Sequence, residues 1–169
     1  SSFAVITGHE RDDARESGTR DPGAAEQRRD WAKIAHAADT LVFLMGVGHL
    51  RQIAERLIQH GRKPETPTVL VRWGTTSQQE TLEGTLADIA QKAETVGFRS
   101  PAVIIVGEVN TLRDRLRWYD RKPLFGRRIV VTRARAQVPR SGIPQGGTSD
   151  FADLLESYGA EVIEFPTIE

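Results

Sequence analysis

The chain contains no cysteine in its 169 residues, which excludes disulfides and thiolate metal centres and points to a reducing, cytoplasmic setting. It has no excess of either charge: 23 Lys and Arg stand against 23 Asp and Glu, so no global attraction to nucleic acid or to a membrane surface follows. No apolar stretch approaches the roughly 18 residues of a membrane span. Catalytic and metal motifs are equally scarce. His9, His36, His49 and His60 show no metal-ligand spacing, such as a pair four apart with an intervening Glu, and no metal is expected. There is no Walker-type phosphate loop and no nucleophile elbow. Gly46-Val-Gly48 opens like a dinucleotide fingerprint, but the third glycine is missing. No internal repeat is present.

What remains is a globular composition, 38% hydrophobic and 27% charged, with a strong alternation of elements. Phe3 to Thr7 reads as a strand. Three further apolar runs, Leu41–Met45, Thr68–Trp73 and Pro101–Val106, each end on a glycine: Gly46, Gly74 and Gly107. Short β-branched runs of this kind suit strands buried on both faces. A glycine past a strand end lets backbone approach a ligand, and the rim at the carboxyl ends of strands is where open α/β sheets bind. The three glycines therefore predict one ligand-binding rim.

Between the strands lie helical patterns. Trp31, Ile34, Ala35 and Ala38 predict a short helix. Leu50, Ile53, Ala54, Leu57 and Ile58 form one stripe stopped by Gly61. Leu86, Ile89, Ala90, Ala93 and Val96 form another, closed by Gly97. Val109, Leu112 and Leu116 continue at helical spacing. Such alternation argues for α/β layering, and helical crossovers favour parallel pairing; Thr81–Thr85 is either a helix entry or an added antiparallel strand. A boundary falls at 119–126. Beyond it Arg128–Thr132, a helix through Phe151, Leu154, Leu155 and Tyr158, and Ala160–Ile163 make one βαβ unit. Some 45 residues cannot bury enough surface to stand as an independent domain. The abrupt start on Ser1 and end on Glu169 suggest a piece of something longer.

Few residues are placed for chemistry. His9, directly after a strand end, is the one histidine positioned to face a ligand. Asp12, Asp13 and Glu16 sit among arginines in the charged, glycine-rich stretch 10–29, a solvated mixed-charge surface. From Arg113 to Arg140 basic residues dominate, with Trp118, Tyr119 and Phe125 interleaved. Arginines and aromatics of this kind suit nucleic acid. Because they flank an apolar strand at a domain junction, an exposed interdomain surface, or one that attracts a polyanionic small substrate, is the preferred reading.

Val5-Ile-Thr-Gly-His9, Leu44-Met45-Gly46, Arg72-Trp-Gly74-Thr75 and Ser100-Pro-Ala-Val-Ile-Ile-Val-Gly107 occur in one order and spacing. Together they resemble the C-terminal half of the uroporphyrinogen-III C-methyltransferase family, tetrapyrrole methylases that use S-adenosylmethionine. From Leu124-Phe-Gly-Arg-Arg-Ile-Val-Val-Thr-Arg-Ala-Arg135 to Gly159-Ala-Glu-Val-Ile-Glu-Phe-Pro-Thr167, the chain looks like the opening of the uroporphyrinogen-III synthase family. The resemblance implies a methylase C-terminal domain over 1–118 with a mixed sheet flanked by helices, a linker over 119–126, and a βαβ fragment of a synthase-like domain over 127–169. It implies that Met45 lies against the adenosine of the cofactor, that Gly74 brings backbone to the same nucleoside, that Gly46 and Thr75 neighbour them, and that Thr7 and His9 face the tetrapyrrole. It further implies two methyl transfers to uroporphyrinogen III, giving precorrin-2 for sirohaem or cobalamin, in a homodimeric, membrane-free enzyme. The family's glycine-rich cofactor loop and its acid/base residues have no counterpart here, so no catalytic residue is assigned. The alternatives are a non-catalytic dimerisation module on the same fold and an RNA-binding protein using the Arg-rich junction.

Overall fold

A computed structural model of the chain describes residues 2–8, 30–132 and 148–165. His9, the charged stretch 10–29, Arg133 to Gly147 and the last four residues lie outside that set. The chain divides into two compact units, one of residues 1–73 and 80–115, the other of residues 74–79 and 116–169.

The first unit is a five-stranded sheet with helices on one face. Its elements are β1 (Phe3–Thr7), α1 (Trp31–His36), β2 (Thr40–Leu44), α2 (Leu50–Gln59), β3 (Pro67–Arg72), β4 (Glu80–Thr85), α3 (Ile89–Val96) and β5 (Ala102–Val106). In space the strands run β1-β2-β5-β3-β4. β1 and β2 pair in parallel, whereas β5 is antiparallel to both β2 and β3, and β3 is antiparallel to β4. The sheet is therefore mixed, and the alternative left open at Thr81–Thr85 resolves as a strand.

The helical crossovers do join strands of the same direction, β2 to β3 through α2 and β4 to β5 through α3. Each skips a neighbour, however. The β3–β4 hairpin reverses the chain, and the two crossovers interleave, so the central pairs come out antiparallel. The helical spacing of Val109, Leu112 and Leu116 is realised as a 3-10 segment, Glu108–Leu112, followed by one α-helical turn, Arg113–Leu116. Asn110 holds it against the sheet, its side-chain amide donating to the carbonyls of Pro67 (3.0 Å) and Ile105 (2.9 Å).

Register puts Leu41 and Phe43 opposite Val106 and Ile104, which in turn face Thr68 and Leu70. All six are fully buried. Against them pack Trp31 and Ala35 of α1, the stripe Leu50, Ile53, Ala54 and Leu57 of α2, and Ile89, Ala90 and Ala93 of α3. The other face of β1 and β2 is open: Phe3, Val5 and Leu44 are 75%, 56% and 40% exposed.

Edge strand β1 is pinned at its start by Asp39, whose carboxylate accepts from the Ser2 backbone N–H (2.8 Å) and hydroxyl (3.3 Å). The Ser2 backbone hydrogen bond, with the nearby Arg62 a smaller contributor, holds the Asp39 carboxyl below its ordinary value. A depressed carboxyl contributes stability above its unfolded pKa and loses it as pH falls. Wild type should thus lose stability on acidification below about pH 4, and Asp39→Asn should flatten that part of a urea-midpoint-versus-pH profile.

The second unit pairs β6 (Arg128–Val131) in parallel with β7 (Glu161–Glu164), joined through α4 (Thr148–Ser157). Among its described residues only Val131, Ala152 and Ala160 are buried hydrophobics, while Phe151, Leu154 and Tyr158 stay about half exposed. Among the described residues, its two strands and one helix bury little apolar surface.

Candidate ligand-binding edge

β1, β2 and β3 all point the same way, so their carboxyl ends share one edge of the sheet. At the end of β1, Thr7 is exposed and Gly8 buried. The Gly8 N–H donates to the carbonyl of Leu44 at 2.5 Å. A Cβ on Gly8 would lie 2.7 Å from the Gly46 nitrogen and closer still to its Cα. The absence of side chains at Gly8 and Gly46 thus lets the two strand ends meet backbone to backbone. A Cβ on Gly46 would sit 2.9 Å from both Ile104 Cδ1 and Ile53 Cδ1, so Gly46 also closes the core. Its carbonyl accepts from the His49 N–H (3.0 Å) and starts the turn into α2.

The next residue type at this edge is unusual. Among the described residues, the non-glycine positions with left-handed backbone are Met45 (φ 56°), Trp73 (φ 49°) and Thr75 (φ 64°). Met45 and Trp73 each come directly after a strand of this edge. Left-handed conformation costs an L-residue about 1–2 kcal/mol, and such strain concentrates at functional sites. Met45 is 64% exposed, so burial does not repay its cost; Trp73 is 38% exposed.

Arg72 supports Trp73 from the last position of β3. Its guanidinium carbon lies 3.7 Å from the centroid of the indole, and Nη1 reaches Glu80 Oε2 on β4 at 3.4 Å. Its Nε is buried without a hydrogen-bond partner. Beside Gly46 and Val47, a groove of about 340 Å³ runs between α2 and α3, lined by Val47, Leu50, Arg51, Ala93 and Phe98. Arg51 closes it with two 2.8 Å hydrogen bonds to Glu94.

Gly74 and Thr75 follow Trp73 in the loop 74–79. The Thr75 hydroxyl donates to the Gly74 carbonyl (2.6 Å), and the Thr75 N–H donates to Gln79 Oε1 (2.9 Å). Thr75 therefore spends its amide inside the loop. His9 lies outside the described residues.

Gly107 does not belong to the rim. It follows β5, which runs against β2 and β3, so it stands at the opposite edge. Its φ is 142°, and a Cβ there would lie 2.7 Å from the Asp39 carbonyl. That glycine is required by close backbone packing. The expectation of three glycines on one rim is corrected by the direction of β5. Sequence reasoning also passed over Gly8 as a packing glycine and Trp73 and Arg72 as members of the edge. For Trp73 the available signal was a large aromatic between a strand end and a glycine.

The tetrapyrrole (corrin/porphyrin) methylases match residues 4–90, just over half of the chain and the part that builds this edge. The chain belongs to that family. Uroporphyrinogen-III C-methyltransferase of Bacillus subtilis is 35% identical over 167 residues, 98% of this chain and 30% of that protein. The porphyrin biosynthesis protein HemD of Ruminiclostridium josui is 34% identical over 169 residues, all of this chain and 29% of that protein. Among solved structures, the native form of uroporphyrin-III C-methyl transferase from Thermus thermophilus aligns with a TM-score of 0.50 and 32% identity, over 66% of this chain and 43% of that one. This tetrapyrrole methylase chain thus spans about 30% of the length of the curated relatives it matches.

Proposed function

We propose that this chain forms one wall of the S-adenosylmethionine pocket of a uroporphyrinogen-III C-methyltransferase, the wall that holds the nucleoside. The observation carrying this reading is the pair of left-handed residues Met45, exposed, and Trp73, partly exposed, at a shared edge that also places the Gly8–Gly46 backbone contact. An adenosine calls for a flat apolar contact, which the polarizable Met45 thioether offers, and for close backbone, which Gly74 offers as the residue after Trp73. Gly46 sets the backbone path that leaves Met45 exposed, and Thr75 orders the Gly74 carbonyl through its hydroxyl. Met45 and Gly46 fit a nucleoside; Gly74 and Thr75 join the reading through the family resemblance alone. S-adenosylmethionine would supply an activated methyl group for a pyrrole carbon of uroporphyrinogen III, toward precorrin-2 and sirohaem or cobalamin. This chain's part is to bind and orient, with Thr7 and His9 toward the tetrapyrrole. The proton lost from the methylated carbon needs a base, and none is assigned among these residues.

The reading extends to residues 127–169 as the opening of a synthase-like domain, supported by the β6–α4–β7 unit and its resemblance to that family. It extends also to a cytoplasmic homodimer in which the open face carrying Phe3, Val5 and Leu44 meets a second copy. The RNA-binding alternative is weakened by the fate of the basic stretch. Arg113 pairs with Glu83 at 2.5 Å and Arg128 with Glu161 at 3.1 Å, so part of its charge is neutralised by acids from elsewhere.

Calorimetric titration with S-adenosylhomocysteine tests the site: saturable binding that weakens by about tenfold in Met45→Ala is expected. Equal affinity in wild type and Met45→Ala would remove Met45 from the pocket. Absence of binding in wild type would favour the non-catalytic module.

A further inference from the structure

The loop Gly74-Thr-Thr-Ser-Gln-Gln79 carries no apolar side chain that could hold it by burial. Its shape therefore comes from hydrogen bonds. Besides the two made by Thr75, the Gln78 N–H donates to the Thr76 hydroxyl (3.3 Å) and the Gln79 N–H to the Thr76 carbonyl (3.1 Å). Gly74, Thr75, Thr76 and Gln78 are exposed, so water competes for these bonds. Such segments open readily unless something outside them holds on.

The hold comes from β7. The loop groups with the second compact unit, and there the Gln78 side-chain amide donates to Glu161 Oε2 at 3.4 Å, joined by a hydrogen bond from Ser77. Glu161 stands opposite Arg128 of β6 in register. Arg128 grips its carboxylate at both oxygens, Nε to Oε2 and Nη2 to Oε1, each at 3.1 Å. That fork, with Gln78 second, holds the Glu161 carboxyl below its ordinary value, so it is ionised at neutral pH. The Arg128 side chain is 60% exposed, and a pair of that exposure adds little stability. What a two-bond fork does supply is direction: it fixes the plane of the carboxylate that meets the loop.

Resting on the reading of Gly74 as the nucleoside's backbone neighbour, we propose that Glu161 is a positioning residue for that site. It anchors Ser77 and Gln78 in the later half of the loop. The next residue, Gln79, passes the restraint to Thr75 by accepting its N–H at the side-chain oxygen (2.9 Å), and so to the Gly74–Thr75 backbone. The second unit thereby tunes nucleoside affinity without touching the ligand, and Arg128 acts only by orienting Glu161.

The test compares Gln78→Ala, Glu161→Ala, Glu161→Gln and Arg128→Ala with wild type. It reads amide hydrogen exchange at Thr75 and Gln79 and calorimetric titration with S-adenosylhomocysteine. Gln78→Ala and Glu161→Ala should each speed exchange at both amides about tenfold and weaken binding about fivefold, the effect of one hydrogen bond. The double variant should bind no more weakly than either single one, because the same link is lost in all three. Glu161→Gln keeps an oxygen for Gln78 and should stay within about twofold of wild type. A role confined to β6–β7 stability would make Arg128→Ala match Glu161→Ala and leave Gln78→Ala like wild type, which overturns the proposal. So does unchanged exchange in Gln78→Ala, or faster exchange with unchanged affinity; both leave the nucleoside site standing. Additive losses in the double variant assign Gln78 to the ligand itself and overturn it too. If Glu161→Ala fails to fold, Gln78→Ala, which leaves the Arg128–Glu161 pair in place, decides. No binding of S-adenosylhomocysteine by wild type removes the nucleoside site, and with it the role of Glu161 there.

Discussion

Gly8→Ala should lower the unfolding free energy by about 3 kcal/mol and abolish S-adenosylhomocysteine binding. The added methyl would stand 2.7 Å from the Gly46 nitrogen. That obstacle is backbone, which has no rotamer to yield. To make room, β1 must separate from β2 at the point where the Gly8 N–H meets the Leu44 carbonyl, and the Met45–Gly46 turn must move with it. Gly48→Ala is the matched control: it lies two residues beyond Gly46, and a Cβ there meets nothing within 4 Å. Its stability should stay within about 0.5 kcal/mol of wild type. Urea unfolding of the three proteins reads the difference. Equal midpoints for Gly8→Ala and wild type would mean that the two strand ends do not touch.

The contrast between these glycines explains what could be read before the fold was known. β2, β3, β5, α2 and α3 are legible because each carries its own period: Leu50, Ile53, Ala54 and Leu57 of α2 pack in the core, although Val96, counted in the α3 stripe, is exposed. Strand direction is different. Nothing in Ala102–Val106 encodes which way β5 runs. The β3–β4 hairpin decides it, and its second strand was the one segment whose type Thr81–Thr85 left open. Gly107 went to the wrong edge for that reason alone. The packing role of Gly8 was invisible because its partner, Gly46, is 38 residues away in the chain. Met45 was singled out by resemblance, and its left-handed backbone is a second, independent reason to look at it. Trp73 has the same backbone signature, which no sequence period reports.

Phe43→Ala should cost about 4 kcal/mol, a large share of the 5–15 kcal/mol that a domain usually has. Phe43 is fully buried at the centre of the sheet. In register it stands between Ile6 of β1 and Ile104 of β5, and its ring stacks on Trp31 with centroids 6.5 Å apart. Removing it opens a cavity that three elements line, and the rigid strands cannot collapse into it. The same strand carries the turn to Met45, so affinity for S-adenosylhomocysteine should fall along with stability, and the emission of Trp31 should shift to the red as water reaches it. Val5→Ala makes the comparison decisive. Val5 belongs to the open face and is 56% exposed, so the unfolding free energy of the isolated chain should change by no more than about 0.5 kcal/mol. If a second copy covers that face, Val5→Ala weakens self-association in sedimentation at a concentration where Phe43→Ala has already lost its fold. A Phe43→Ala protein as stable as Val5→Ala would place the core on the other side of the sheet, and the proposed edge would lose the scaffold that positions it.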